Sequence, residues 1–406
     1  MNIQTLKGFR DFLPQEIRKR QYVLDTLKKV FESYGFEPLE TPALEYEEIL
    51  TGKYGDEGDK LMYKFEDIGK RKVAMRYDQT VPLARVIAQY QNEIPLPFKR
   101  YQIQSVWRAE NTQKGRYREF LQVDADIVGS YSPLSDAEII AVCIKGVETL
   151  GFKKFKILVN DRILFSNLPN RGITEKEIPI VVKAIDKLKK IGKEKVLKEL
   201  IENGISSEKA TYLLQTLEFE KPTSRINEIL SVLKSMNINT ALVEFLPTLA
   251  RGLDYYTGII FEVEVDGYEV GSVAGGGRYD NLIGMFAGSD IPAVGFSFGF
   301  DRLIEAMESM NLFPKNLNGN EVLIAFADSE LQEKALEVSI NLRNKNLNVQ
   351  FYLEDAPLEK QLKYADKKQI PYVLIVNKDN FILKNMQSGQ QKEKQLEKII
   401  NELTQS

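Results

Sequence analysis

The chain has 406 residues, 55 Lys+Arg against 58 Asp+Glu, a single cysteine (Cys143) and no histidine. That length divides into two or three domains, and 43% hydrophobic with 28% charged residues is the balance of a soluble globular protein. Lacking histidine, the chain has no Ser-His-Asp or Cys-His catalysis, no imidazole metal ligand and no imidazole base, and one cysteine excludes an intramolecular disulfide and a cysteine zinc site. Chemistry is left to Arg, Lys, carboxylates, Tyr, backbone groups or an exogenous metal. The net charge of −3 argues against a globally basic nucleic-acid binder but leaves room for a local basic surface.

The first residues, MNIQTLKGFRDFLP, contain neither an apolar signal core nor an Arg/Ser-rich transit composition, which predicts a cytoplasmic protein. No apolar run approaches the roughly 18 residues of a membrane span. Residues 15–34 predict an amphipathic helix with Ile17, Leu24, Leu27, Val30, Phe31 and Tyr34 on one stripe, ended by Gly35. Pro38 and Pro42 bracket an extended stretch, FEPLETPALEY.

The segment 98–130 is the most informative. In KRYQIQSVWR, Tyr101, Ile103 and Trp107 are apolar, whereas Arg100, Gln102, Gln104 and Arg108 take the other parity. In REFLQVDADIVG, Leu121, Val123, Ala125 and Ile127 alternate with Phe120, Gln122, Asp124 and Asp126. Two period-2 strands joined by a short polar connection predict an antiparallel pair. Arg, Gln and short Asp residues on the polar face suit a lined cavity; a solvated sheet face is the alternative.

Residues 171–234 predict polar helices with breaks at NRG, ENG and KPTS, and carry 13 basic against 10 acidic residues. A helix is expected over 180–201, its polar face holding Lys183, Lys187, Lys189, Lys190, Lys193, Lys195 and Lys198. Such a face is either solvated or a phosphate-binding surface. Alternation returns in GIIFEVEV (258–265), followed by the glycine cluster GSVAGGGRYD (271–280) and by AVGFSFGFDRLIEAM (293–307). In this last strand Val294, Phe296, Phe298 and Phe300 oppose Ala293, Gly295, Ser297 and Gly299, a face of small residues that lets a flat ligand or another backbone approach. Asp301 then opens a helix with Arg302 in its first turn. From 321 onward, EVLIAFA, a helix through 330–345, NVQFYL, a helix near 358–369, PYVLIV and a final helix from about 393 predict a small βαβαβα unit with a mostly parallel sheet. Residues 321–406 carry 12 basic and 13 acidic residues, so this is no basic module.

Six segments in order resemble histidyl-tRNA synthetases, a class II aminoacyl-tRNA synthetase family. LKGFRDFLP is similar to the family's N-terminal signature, PLETPALEY to motif 1, FKRYQIQSVWRAENTQKGRYREFLQVDADIVG to motif 2 and VGFSFGFDRL to motif 3. LARGLDYYTGIIFEV and GSVAGGGRYDNLIGMF resemble its histidine-recognition motifs. The resemblance implies an α+β catalytic domain built on an antiparallel sheet (residues 1–165 and 240–315, with the ATP and histidine site and the dimer interface). It also implies a helical insertion (166–239) at the tRNA acceptor arm and a C-terminal α/β anticodon-binding domain (321–406).

The implied reaction joins L-histidine to ATP as an adenylate, then passes the histidyl group to tRNA(His). Charge builds on phosphorus, so positioning and electrostatics suffice and no protein nucleophile is needed. By resemblance, Arg108 holds the α-phosphate and the substrate carboxylate, and Arg251 is a second catalytic cation at the α-phosphate; an ion pair of Arg251 with Asp254 is its structural alternative. Glu110 faces the adenine amino group, Phe120 lies beneath the ring, and Arg302 stacks above it and reaches the γ-phosphate. Asp78, Thr80 and Gln122 surround the ammonium group, and Asp126, Tyr256 and Tyr279 the imidazole; core packing is the alternative for the tyrosines. Gln113, Lys114 and Arg116 stand at the tRNA acceptor end. ATP enters with Mg2+, no zinc or haem is implied, and the expected assembly is a homodimer with no membrane attachment. The rival readings are a non-catalytic regulator or sensor of histidine or uncharged tRNA, and a synthetase for another amino acid. Regulatory relatives erode the arginines and lose the C-terminal domain, whereas Arg108, Arg251, Arg302 and residues 321–406 are all present here.

Overall fold

The structure, a computed structural model, describes residues 3–52, 61–112, 115–217, 219–250, 256–314, 317, 319 and 321–404. They divide into two compact units, the first dominated by residues 19–313 and the second by residues 314–406.

The strands of the first unit are β1 (Glu37–Pro38), β2 (Leu44–Tyr46), β3 (Lys64–Glu66), β4 (Lys72–Met75), β5 (Phe98–Trp107), β6 (Glu119–Val128), β7 (Phe155–Asp161), β8 (Val243–Phe245), β9 (Ile259–Val265), β10 (Ala274–Arg278) and β11 (Ala293–Phe298). One sheet runs β1-β5-β6-β11-β10-β9-β7-β8, antiparallel except for the parallel edge pairs β1–β5 and β7–β8. A small antiparallel sheet runs β2-β4-β3.

Side-chain alternation divides the large sheet into an apolar and a polar face. Tyr101, Val123, Ala125, Ile127, Phe261, Val263, Phe296 and Phe298 bury against Val23, Leu27 and Phe31 of the helix Pro14–Ser33 and against Ile139, Ile140 and Val147 of the helix Pro133–Thr149. The first helix ends where Gly35 adopts φ +76°, and Phe36 N donates back to Phe31 O at 3.1 Å. The second starts with Pro133 in its first turn and Ser132 Oγ accepting from Leu134 N. With one face packed under helices, the polar residues of β5, β6, β9 and β11 are confined to the other.

The helix expected over 180–201 is three: Ile178–Ile185, Leu188–Ile191 and Lys193–Glu202. Gly192, at φ +82°, breaks the last two, so the lysines do not share one continuous face. These helices and Ser207–Leu217 bury Val181, Ile185, Val196, Leu200, Leu213 and Leu217 in a separate apolar cluster. The following helix, Ser224–Ser235, instead places Ile226, Ile229 and Leu233 in the main core.

In the second unit the strands are β12 (Val322–Phe326), β13 (Val349–Phe351), β14 (Tyr372–Val376), β15 (Phe381–Asn385) and β16 (Gln391–Lys394), with helices Gln332–Arg343, Leu358–Lys367 and Leu396–Thr404. The order is β13-β12-β14-β15-β16. Only the first three are parallel; β15 and β16 add an antiparallel hairpin, so the sheet is mixed where a mostly parallel one was expected. QKEK has no apolar parity, and its residues are exposed or half-buried, which is why an edge strand there left no hydrophobic signature.

Candidate active site

The polar face of the large sheet floors a cavity of about 810 Å³. The register sets its floor in rows. Arg100 lies opposite Asp126, Asp126 opposite Gly295, and Gly295 opposite Gly277. The next row is Gln102, Asp124, Ser297, Gly275 and Glu262, and beyond it Gln104 faces Gln122. Small residues on β10 and β11 keep the floor low.

At the end where β5 leaves the sheet, Arg108 sits with its guanidinium carbon 5.1 Å from the Phe120 ring centre, and its Nε donates to Tyr77 O at 2.9 Å. Arg302, in the first turn of the helix Phe300–Ser309, donates to Ser272 O at 3.3 Å. Glu110 pairs with Arg116 at 3.2 Å, and both line this end. Asp301, at the edge of the cavity, holds Arg10 at 2.9 Å and Arg20 at 2.7 Å, which anchors the start of the same helix.

The opposite end is acidic. Arg100 is fully buried and lies 2.8 Å from Asp126, while its Nη1 donates to Gln102 Oε1 at 3.2 Å. Tyr279 donates its hydroxyl to the other Asp126 oxygen. Burial raises the Asp126 carboxyl, with Arg100 pulling the other way. Burial likewise pushes Asp124 up to about 7, opposed by Arg100 and reinforced by the charge of Asp126. Burial also holds the Tyr279 hydroxyl well above its ordinary range, so it remains a donor. Asp78, at the start of the helix Thr80–Gln89, accepts from Val81 N at 3.4 Å, and Thr80 follows it into the wall.

Eleven of the sequence-predicted residues therefore line one cavity: Asp78, Thr80, Arg108, Glu110, Arg116, Phe120, Gln122, Asp126, Tyr256, Tyr279 and Arg302. Arg251, Gln113, Lys114 and Asp254 lie outside the described residues. Arg100, Asp124, Asp186 and Glu262 received no role from the sequence. Arg100 and Asp124 share the parity of Gln122 and Asp126, a signal that names the face but not the function. Arg278 of GGGRYD points elsewhere: it holds the fully buried Asp136 at 2.6 Å, Asp280 at 3.0 Å and Ser130 O at 2.9 Å. Of the expected lysine surface, Lys187, Lys189 and Lys198 are already paired with Glu199, Glu264 and Glu202.

Cations beside an aromatic ring at one end, and carboxylates with a tyrosine donor at the other, suit a ligand with an anionic, ring-bearing part and a part rich in N–H groups. Among the described residues no helix is long and apolar enough to cross a membrane.

The histidyl-tRNA synthetase family profile matches residues 8–303, and the anticodon binding domain profile matches residues 321–406. The chain is 39% identical over 446 aligned residues to the histidine–tRNA ligase of Cytophaga hutchinsonii, covering 98% of each chain. It is 40% identical over 449 aligned residues to that of Bacteroides fragilis, again covering 98% of each. The fold superposes on the crystal structure of histidyl-tRNA synthetase from Nostoc sp. PCC 7120 with a TM-score of 0.87 at 32% identity, covering 100% of this chain and 99% of that one.

Proposed function

Since the chain belongs to the histidyl-tRNA synthetase family, we propose that it is an ATP-dependent histidine–tRNA ligase working through the cavity above. L-Histidine and ATP give histidyl-adenylate and pyrophosphate; the 3′-terminal hydroxyl of tRNA(His) then takes the histidyl group and AMP leaves. The observation that carries this reading is the polarity of one cavity: Arg108, Phe120 and Arg302 at one end, Asp126, Tyr256 and Tyr279 at the other.

In the first step a substrate carboxylate oxygen attacks the α-phosphorus and the bond to the pyrophosphate oxygen breaks. Two anions must meet, and negative charge grows on the phosphoryl oxygens. Arg108 is fixed by Tyr77 O and carries a permanent charge, so it serves as a preorganised countercharge to the carboxylate and the α-phosphate. Arg251 is the second such cation in this reading. Phe120 offers the adenine a flat apolar surface, Arg302 covers the other side and reaches the γ-phosphate, and Glu110 accepts from the adenine amino group. ATP brings Mg2+ as part of the substrate.

For the amino acid, Asp78, Thr80 and Gln122 take the ammonium group. A neutral imidazole presents one donor and one acceptor. Asp126 accepts from the ring, and Tyr256 and Tyr279 complete its surroundings. Gln113, Lys114 and Arg116 meet the tRNA acceptor end, the 166–239 insertion embraces the acceptor arm, and residues 321–406 read the anticodon. The working form in this reading is a cytoplasmic homodimer.

Amino-acid-dependent ATP–pyrophosphate exchange tests the reading, with each protein amino acid supplied separately. Exchange with histidine alone is the expected result. No exchange from a folded protein that binds histidine would make it a sensor or regulator on the same scaffold.

A further inference from the structure

The carboxylate assigned to the imidazole is already engaged. One Asp126 oxygen accepts from Tyr279, and the other is held by charge 2.8 Å from Arg100 without a hydrogen bond. Two residues earlier on the same strand face, Asp124 lines the same cavity and is only 3% exposed. Its Oδ2 accepts from Gln122 Nε2 at 2.8 Å, and its Oδ1 is buried with no hydrogen-bond partner. The neighbouring amide oxygen, Gln122 Oε1, is open in the same way. Across the sheet the row continues through Ser297, whose small side chain bears on the Asp124 carboxyl, and Gly275, so no bulky side chain covers the carboxylate from that direction.

A buried acceptor left open costs free energy in the empty protein, and a carboxylate costs more than an amide. Two buried carboxyls sharing one arginine also penalise each other's ionised form, in line with the raised Asp124 and Asp126 carboxyls. Both features are relieved by a ligand that brings N–H donors or positive charge into the cavity.

We propose that Asp124 is a further specificity-determining residue, whose open Oδ1 accepts a hydrogen bond from an N–H group of the amino-acid substrate. Asp126, braced by Tyr279 and by the charge of Arg100, supplies a fixed acceptor, and Asp124 supplies a second acceptor beside it. The inference rests on the reading of this cavity as the amino-acid site. The N–H donor is either the substrate ammonium or the ring, and a ligand lacking the ammonium separates them.

The test is steady-state ATP–pyrophosphate exchange with Asp124→Asn and, in parallel, Asp126→Asn, each checked by thermal melting. Asp124→Asn is expected to raise the KM for histidine by roughly 10- to 100-fold, the worth of a charged hydrogen bond, while the KM for ATP stays within about twofold. Inhibition by 3-(imidazol-4-yl)propionate, which has no ammonium, weakens equally in Asp124→Asn if the ring is the donor and is unchanged if the ammonium is. An unchanged histidine KM in folded Asp124→Asn overturns the proposal when Asp126→Asn still raises it. If neither variant moves it, the amino-acid reading of the cavity has failed instead. Should Asp124→Asn not fold, Asp124→Ser is read against the same outcomes.

Discussion

Gly295 and Asp126 face each other on adjacent strands so closely that a Cβ on Gly295 would lie 1.8 Å from Asp126 Oδ1 and 2.9 Å from Ala125 O. The absence of a side chain on β11 is what gives the carboxylate of β6 its position against Arg100 and Tyr279. Gly277, next in the row, plays the same part for Tyr256, whose ring would meet a Cβ there at 2.8 Å.

Gly295→Ala therefore forces Asp126 out of place. Overpacking of this kind costs about 1–3 kcal/mol, and the histidine KM should rise more than the ATP KM because the distortion is local to the acidic end. Urea denaturation and exchange kinetics on the same preparation check both; a variant with the original histidine KM would mean that Asp126 can move without consequence.

Arg100 is the only cation drawn close to Asp126 among the described residues. Arg100→Met removes that charge and leaves a buried carboxylate uncompensated, a loss of about 3–5 kcal/mol. The double variant Arg100→Met, Asp126→Asn should recover part of it, since both charges are then gone. Denaturant midpoints of the two singles and the double form the cycle; strict additivity would dissolve the ion pair as an energetic unit.

The raised Asp124 carboxyl makes stability depend on pH in a definite direction. An unfolded Asp titrates near 4, roughly, whereas Asp124 in the fold is pushed up to about 7, mainly by burial. Between those values the native state binds more protons than the unfolded one, so stability is greatest below the window and falls as pH rises through it. The contribution is at most about 1.4 kcal/mol per pH unit. Asp124→Asn should flatten that slope, so its stability relative to the parent chain improves from pH 5 to pH 8 by denaturant titration. A gap that stays constant would rule out Asp124 as the titrating group.

For Arg251, the prediction comes from the motif ARGLDYYTG. Arg251→Ala should leave the fold intact and lower the activation rate by roughly 10²-fold or more, as the loss of one preorganised charge contact does. Exchange kinetics beside a melting curve check it, and near-normal activity would remove Arg251 from the catalytic set.

Alternation along 98–130 and 293–300 was enough to assign a polar face, because a strand sends successive side chains to opposite sides whatever lies around it. Hence Phe120, Gln122 and Asp126 were legible as neighbours, and the order of the resembling motifs brought Arg108, Tyr279 and Arg302 to the same place. The lysines of 183–198 were less legible: helical spacing does not announce that Gly192 interrupts the run or that Glu264, far away in the chain, pairs with Lys189.

Residue types and parity thus determined the chemistry available and the face that bears it: no imidazole, no thiol pair, arginines and carboxylates on one side of an antiparallel sheet. Only tertiary structure decided which of those charges neutralise one another. Strand register brought Arg100 opposite Asp126, sent Arg278 to Asp136 and left Asp124 Oδ1 without a hydrogen-bond partner, because pairing across a sheet depends on a one-residue alignment between segments distant in the chain.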